Sequence, residues 1–262
     1  MFYYYGGKRR LAGFYPPPQH DVIIEPFAGS AAYAMRHLAP NAREKPLERV
    51  ILVEKDSRVC EIWERLLGME PEDLEALAIP SVGERISDFL FMTSACSNRI
   101  ARTKSMIVTD RMPIVIERML RQIAAVLPHA KGRVEIIEGD YTQAPDIEAT
   151  WFIDPPYRVT GRPQARGQGY APDCDAASLD YEALADWCRA RQGQTIVCEQ
   201  AGAKWLPFEH LRPARDSIGK FRTEVVCVNP PAESPANANG DRREAPSPRA
   251  GMLTSLPGVA PA

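Results

Sequence analysis

Short apolar runs, several of them ending in an acidic residue, alternate with helical stretches along this chain of 262 residues. The first two runs are residues 21–27 and 49–54, and the small residues 28–32 between them open a helical stretch that reaches about Leu38. Further runs are residues 134–140, 150–154, 194–199 and 224–229, and further helices are predicted at residues 57–67, 113–127 and 178–190. This alternation predicts an α/β fold with a mostly parallel central sheet and helices on both faces.

The ends of the first two runs carry the residue types with which open α/β sheets bind nucleosides. The turn Ala28-Gly29-Ser30-Ala31-Ala32 has only small side chains, which let a ligand approach the backbone closely. Glu54 ends the second run, a position from which such sheets hold a ribose diol through a carboxylate. The sequence therefore predicts a site for an adenosine-type cofactor.

The tetrapeptide Asp154-Pro155-Pro156-Tyr157 directly follows the apolar run 151–153. Its side-chain carboxylate and the carbonyl of its stiff proline turn are both hydrogen-bond acceptors. Tyr157 adds a flat face on which a planar base can stack. These features predict a site that accepts both hydrogens of an exocyclic amino group, so that the nitrogen can receive a methyl group. Read by itself, the segment is equally compatible with a turn that has only a structural role.

Taken in order, these elements resemble those of Dam-type (class alpha), S-adenosylmethionine-dependent DNA adenine-N6 methyltransferases, and the chain is similar to a compact, phage-style member. The segments that carry the resemblance are residues 4–12, 25–30, 53–56, 139–141 and 154–157. One departure is that Ala31-Ala32 stands where many relatives carry another glycine in the cofactor turn. The path of this turn is therefore left open.

The resemblance implies a Rossmann-like methyltransferase fold with a small, mainly helical target-recognition insertion. Residues 1–67 and 131–229 then form the two parts of the catalytic domain, and residues 68–130, where the strand and helix rhythm stops, form the insertion. Residues 230–262 are rich in Pro, Ala, Ser and Asn, which predicts a disordered tail.

The resemblance also assigns roles to individual residues. The catalytic residues are Asp154, Pro155, Pro156 and Tyr157. The residues that bind S-adenosylmethionine are Tyr5, Gly7, Lys8, Glu25, Pro26, Phe27, Ala28, Gly29, Ser30, Glu54, Lys55, Asp140, Tyr141 and Asp154. For Asp140, a turn or helix cap is the alternative role.

Positive charge is unevenly distributed, although the formal net charge is only −2. Lys and Arg outnumber acids across residues 85–133, whereas residues 61–84 are acidic, so the average conceals a basic face suited to double-stranded DNA. The predicted DNA-binding residues are Arg9, Arg10, Asn98, Arg99, Arg102, Lys104, Arg158, Arg162 and Tyr170. Asn98, Arg99 and Arg102 suit base edges, but a basic loop that contacts only phosphates, or nothing, is the alternative. Tyr170 either stacks on the displaced nucleotide or pins its own loop.

Several classes of protein fit the sequence poorly. No apolar run is long enough for a membrane span, and the N-terminus lacks the pattern of a signal peptide, so we expect a cytoplasmic protein without a membrane partner. The four histidines and six cysteines show no metal-ligand spacing, so no metal is expected. Gly6-Gly7-Lys8 lacks the rest of a phosphate-loop motif, which argues against a nucleotide triphosphatase. We expect a monomer or weak dimer.

Three functions remain open at this point. The first is methyl transfer from S-adenosylmethionine to N6 of a flipped-out adenine in double-stranded DNA. The second keeps the cofactor but changes the acceptor to cytosine N4, an RNA base or a protein glutamine. The third is a catalytically silent DNA-binding relative, against which the intact Asp154–Tyr157 segment argues.

Overall fold

The computed structural model of the chain describes residues 2, 7–39, 42–95, 104–158, 171, 173–215 and 221–230. The chain divides into two units, Met1–Pro231 and Ala232–Ala262. The second unit lies wholly outside the described residues, so the tail predicted at residues 230–262 stays a prediction.

The elements follow one another in the alternating pattern expected from the sequence. The strands are β1 (Val22–Glu25), β2 (Arg49–Glu54), β3 (Arg85–Ile86), β4 (Met106–Ile107), β5 (Val134–Glu138), β6 (Ala149–Ile153), β7 (Gly193–Gln200), β8 (Glu209–Arg215) and β9 (Phe221–Val228). The helices are α1 (Ala32–Leu38), α2 (Ser57–Gly68), α3 (Pro71–Glu75), α4 (Phe89–Ala95), α5 (Met112–Ala130) and α6 (Tyr181–Arg189), with 3₁₀ turns at Tyr141–Gln143 and Ala176–Ser178.

Within the described ranges, seven strands form one sheet in the order β5-β2-β1-β6-β7-β9-β8. The first five strands in this order, β5, β2, β1, β6 and β7, run parallel to one another. Strand β9 is antiparallel to β7, and β8 is antiparallel to β9. The strand order reverses between β1 and β6, and open α/β sheets bind ligands at the carboxyl ends of strands beside such a reversal. The predicted Rossmann-like α/β fold with a mostly parallel sheet is confirmed.

Successive residues of the central strands pack on opposite faces of the sheet, as the two-residue period of a strand requires. Ile23 belongs to the apolar cluster that includes residues of α1, α2 and α5, whereas its neighbour Ile24 belongs to the cluster that includes α6. Both side chains are fully buried. Helices therefore cover both faces, as predicted, and none in the described ranges is long and apolar enough to cross a membrane.

The segment at residues 68–130 is mainly helical, as predicted, and contains α3, α4, α5 and the antiparallel ribbon of β3 and β4. Helix α5 extends beyond the predicted residues 113–127 and buries Ile116, Met119 and Leu120 in the same apolar cluster as α1 and α2. The segment is thus joined to the body of the protein by apolar packing. Its role in target recognition stays a prediction.

Strand β8 was not predicted from the sequence. It contains Pro213 among several polar and charged residues, and it lies at the edge of the sheet beside β9. An edge strand tolerates proline and charge because one of its sides needs no strand partner. Helix α6 begins at Tyr181, later than predicted, because the Asp180 carboxylate caps the helix by accepting from the amides of Glu182 and Ala183.

Candidate active site

A cleft of about 780 Å³, measured with its open mouth, lies at the carboxyl ends of β1, β2, β5 and β6. The residues that line it are Gly7, Lys8, Glu25, Pro26, Phe27, Ala28, Gly29, Ser30, Ala31, Ala32, Glu54, Lys55, Gly139, Asp140, Tyr141, Phe152, Asp154, Pro156, Asp173, Cys174, Ser178 and Leu179.

Every predicted cofactor residue that the structure describes lines this cleft, and only Tyr5 lies outside the described residues. Of the predicted catalytic residues, Asp154 and Pro156 also line it, and Pro155 and Tyr157 belong to the same short segment. Asp173, Cys174, Ser178 and Leu179 also line the cleft and were not predicted. These residues form a turn without an apolar period, so the sequence carried no signal for them.

The Glu54 carboxylate joins the turns that follow β1 and β2. One of its oxygens accepts a hydrogen bond from the Gly29 amide at 2.7 Å, and the other accepts from the Asp56 amide at 2.9 Å. Burial raises the pKa of Glu54, although these backbone donors oppose the shift. Because each carboxylate oxygen can accept more than one hydrogen bond, Glu54 can also accept from a ligand hydroxyl.

Glu25, at the end of β1, performs a similar task on helix α1. Its carboxylate accepts from the Ala34 amide at 2.6 Å. Burial raises the pKa of this carboxyl group to about 8, and the nearby Asp154 adds to the shift. Glu25 thus fixes the first turn of the helix that follows the cofactor turn.

Two aromatic side chains form one wall of the cleft. The rings of Phe27 and Tyr141 stack at 5.4 Å with 25° between their planes, and Trp187 contacts Tyr141 edge-on at 5.1 Å. Asp140 accepts from the Thr142 amide at 3.2 Å, so it caps the 3₁₀ turn while also lining the cleft. A flat apolar wall beside polar groups suits a purine ring.

Lys8 contacts Asp154 directly. Its Nζ lies 2.8 Å from Asp154 Oδ1 and 3.5 Å from Glu224 Oε1, and it stands 4.3 Å from the centre of the Tyr157 ring. Burial raises the pKa of Asp154 to about 6, and the Lys8 ammonium opposes this shift. Burial by itself would lower the pKa of Lys8, but the two carboxylates outweigh it and raise that pKa. Lys8 therefore stays charged.

Glu224 and Tyr15 complete this group, and neither was predicted as a site residue. Glu224 Oε1 accepts hydrogen bonds from the Tyr15 hydroxyl at 2.8 Å and from the Tyr157 hydroxyl. Burial raises the pKa of both tyrosines well above the usual value, so each hydroxyl remains a donor. Glu224 is one of several polar residues at the start of β9, and nothing in that pattern predicted this role.

Asp154, Cys198 and Glu224 hold atoms of metal-ligand type within 4.8 Å of one another. The Lys8 ammonium already contacts both carboxylates and compensates their charge. Burial raises the pKa of the Cys198 thiol far above its usual value, so it is not a thiolate ligand. This arrangement suits an internal ammonium ion better than a metal.

The proline turn is held on both sides. The Tyr181 hydroxyl donates to the Pro156 carbonyl, and the Glu199 carboxylate accepts from the Arg158 amide at 3.2 Å and from the Trp205 indole at 3.0 Å. Among the described residues, no hydrogen bond to the Pro155 carbonyl is formed. The role of that carbonyl as an acceptor for an amino group stays a prediction.

Four of the predicted DNA-binding residues are described, and all four are exposed: Arg9, Arg10, Lys104 and Arg158. The Arg158 guanidinium lies 5.6 Å from the centre of the Tyr181 ring. The other five, Asn98, Arg99, Arg102, Arg162 and Tyr170, lie outside the described residues. Their roles in DNA binding stay predictions.

Stability measurements can test whether alanine at position 31, in place of the glycine of many relatives, strains the cofactor turn. Ala31 has a φ of 46°, in the left-handed region that favours glycine, whereas Ala34 lies inside α1. Both methyl groups are buried. Ala31→Gly relieves backbone strain and Ala34→Gly loses helix propensity, so we expect Ala31→Gly to be more stable than Ala34→Gly by about 1–2 kcal/mol. Urea unfolding of the two variants measures this difference, and equal losses of stability would contradict the expected strain.

No protein-family model matches the chain, and no curated protein matches it significantly. Two solved structures of the rRNA methyltransferase aviRa from Streptomyces viridochromogenes are similar: one is 17% identical, with a TM-score of 0.39, and the other is 16% identical, with a TM-score of 0.38. Each similarity covers 84% of this chain and 81% of the other. The candidate methyltransferase yhhF from Escherichia coli is 13% identical, over 83% of this chain and 80% of that one, with a TM-score of 0.34. Likenesses this remote do not bear on the substrate of this chain.

Proposed function

We propose that this protein transfers a methyl group from S-adenosylmethionine to the N6 amino group of a flipped-out adenine in double-stranded DNA. The observation that carries the proposal is the position of Asp154. Its carboxylate opens into the same cleft as Glu54 and Asp140. The segment Asp154–Tyr157, here called the amino-acceptor corner, therefore shares one space with the nucleoside-type site. Methyl transfer needs this adjacency, because the two reactants must meet without a covalent enzyme intermediate.

The donor set of the cleft fits S-adenosylmethionine. Glu54 offers carboxylate oxygens to a diol, the Phe27 and Tyr141 rings offer a wall to a purine, and the small residues of the turn after β1 leave room at the backbone. When bound, S-adenosylmethionine supplies an electrophilic methyl carbon attached to a sulfonium.

The chain's own residues then act on the amino group of the acceptor. Asp154 and the Pro155 carbonyl accept its two hydrogens, which localises the nitrogen lone pair that the ring otherwise delocalises. Lys8 holds one Asp154 oxygen and favours its ionised form. Tyr157 offers a ring face to the base, and positioning of the reactants can remove on the order of 7–11 kcal/mol of the barrier. An amino group on an extruded base can reach this corner, whereas one in the stack cannot.

The rate of methyl transfer should depend on the ionisation of Asp154. Only the carboxylate accepts the amino hydrogen well, and its pKa is raised to about 6. We expect the single-turnover rate to be constant at higher pH and to fall as pH drops through about 6, by roughly tenfold per unit. Lys8→Met removes the cation that lowers this pKa, so the fall should begin at higher pH. A rate that follows an ordinary carboxyl pKa, or a profile that Lys8→Met leaves unmoved, would contradict this role.

The acceptor is identified by offering several substrates to the full-length protein. Radiolabelled S-adenosylmethionine is incubated with unmethylated duplex DNA, structured RNA and a glutamine-rich protein, and the modified nucleosides are separated by mass spectrometry. We expect N6-methyladenine from the duplex. If N4-methylcytosine, methylated RNA or methylated protein formed instead, the acceptor would be cytosine, RNA or protein. Binding of DNA without methylation of any substrate would favour a catalytically silent DNA-binding protein.

A further inference from the structure

Glu224 reaches the cleft from a strand that runs opposite to the parallel ones. It pairs in register with Gln200, the last residue of β7, so the beginning of β9 lies at the carboxyl edge of the sheet. The residue is buried, with 7% of its surface exposed. Burying a carboxylate costs several kcal/mol unless charged or polar partners compensate it. Its partners therefore indicate what it does.

Those partners converge on a single oxygen of Glu224. Oε1 accepts from the Tyr15 and Tyr157 hydroxyls and lies 3.5 Å from Lys8 Nζ. Tyr15 is itself fixed by packing, because its ring meets Phe152 edge-on at 4.9 Å. One carboxylate thus ties the segment before β1 to the turn after β6.

Two consequences follow for the amino-acceptor corner. The hydroxyl tether and the Lys8 ammonium over its ring restrict Tyr157 to one orientation. Glu224 also competes with Asp154 for the same ammonium, since Lys8 lies between the two carboxylates. Glu224 therefore influences both the face offered to the base and the charge on Asp154, without belonging to the lining of the cleft.

We propose that Glu224, with Tyr15, is a positioning residue that fixes Tyr157 and Lys8 around Asp154 for transfer to an extruded amino group. The inference rests on the proposed function for its effect on rate, and on geometry alone for its effect on Asp154. It assigns a role to β9 that a purely structural strand would not have.

The sign of the electrostatic effect follows from the groups that face Asp154. These titratable groups are Lys8, Glu224, Tyr157, Cys198, Tyr15, Glu25 and Glu199. The Glu224 carboxylate raises the pKa of Asp154, whereas Lys8 lowers it. Removing the charge of Glu224 leaves the ammonium to Asp154 alone and should lower the pKa of Asp154.

The test compares Glu224→Gln, which keeps the shape of the side chain, with Tyr15→Phe, which removes one hydroxyl. For Glu224→Gln we expect the single-turnover rate near neutral pH to fall at least about tenfold, because Tyr157 is held less firmly. The acid limb of the pH profile should also move to lower pH. Tyr15→Phe should lower the rate several-fold. Glu209→Gln, which changes an exposed acid on β8, is the control and should match the unmodified protein.

A second measurement does not depend on activity. Carbon-13 NMR of protein labelled at Asp carboxyl groups follows the ionisation of Asp154, whose signal is assigned by its loss in Asp154→Asn. A lower Asp154 pKa in Glu224→Gln supports the inference even if the unmodified protein methylates no substrate, an outcome that would overturn only the proposed function. An unchanged Asp154 pKa, or a reduced rate with an unmoved acid limb, would overturn the positioning role of Glu224.

Discussion

Replacing Asp154 with alanine is expected to lower the rate of methyl transfer by roughly 10³-fold, the loss typical of removing a polar group that acts on charge in the transition state. The carboxylate is the acceptor that activates the amino nitrogen, and the Pro155 carbonyl alone cannot replace it. Cofactor affinity should change little, because Glu54, Asp140 and the aromatic wall remain. Single-turnover kinetics gives the rate, and equilibrium binding of S-adenosylmethionine gives the affinity.

Two companion variants make this result interpretable. Asp154→Asn keeps the shape and one acceptor oxygen, so its rate should lie between those of the alanine variant and the unmodified protein. Asp146→Asn changes an acid that precedes the same strand at its opposite end, where it pairs with Arg191 on the surface. We expect the rate of this control to be unchanged. A fully active Asp154→Ala would remove the proposed chemistry from this corner.

Gly193→Ala is expected to lower the free energy of unfolding by at least about 3 kcal/mol, since left-handed strain and a backbone clash add together. Gly193 begins β7 with a φ of +95°, and a Cβ there would lie 2.3 Å from the Ala149 carbonyl oxygen. That oxygen belongs to the neighbouring strand β6, which pairs with Gly193 in register and leads to Asp154. Chemical denaturation monitored by circular dichroism measures the loss.

Gly68→Ala is the matched control for this prediction. Gly68 ends α2 in a helical conformation, and a Cβ at this position would meet no atom within 4 Å. Alanine should therefore leave stability unchanged or raise it by up to about 1 kcal/mol. If both variants unfolded at the same denaturant concentration, the tight pairing of β6 and β7 at this point would be wrong.

The sequence predicted the parallel part of the fold because its central strands are largely buried on both faces; β5, at the edge, is only partly buried. An apolar run such as the one within Arg49–Glu54 can be recognised as a strand without knowledge of the strands that pair with it. The acid that ends this run marks the carboxyl end of the strand. The same reasoning brought together the predicted cofactor residues around Glu54 and the predicted acceptor site at Asp154, and the structure places both on one cleft. The local sequence pattern was sufficient to predict a site residue where that residue directly follows or ends a strand, as Asp154 and Glu54 do.

Local pattern failed where a residue acts through partners distant along the chain. Tyr15 and Glu224 are 209 residues apart, and nothing near either of them predicts their hydrogen bond. Lys8 was predicted to bind the cofactor and lines the cleft, but its ion pairs with Asp154 and Glu224 could not be predicted from its neighbours in the sequence. Edge strand β8 escaped prediction because its sequence, Glu209–Arg215, has no continuous apolar run of the kind that marks buried strands.

Strand β9 is synthesised after the other strands of the sheet, so its Glu224 is the last part of the predicted reaction centre to become available to a nascent chain. Strands β1, β2, β5 and β6 can already form the nucleoside-type cleft, yet the carboxylate that holds Tyr15 and Tyr157 emerges from the ribosome only with β9. Contacts that close such long loops form late in folding. A partly synthesised chain would therefore have a pocket before it has an organised reaction centre.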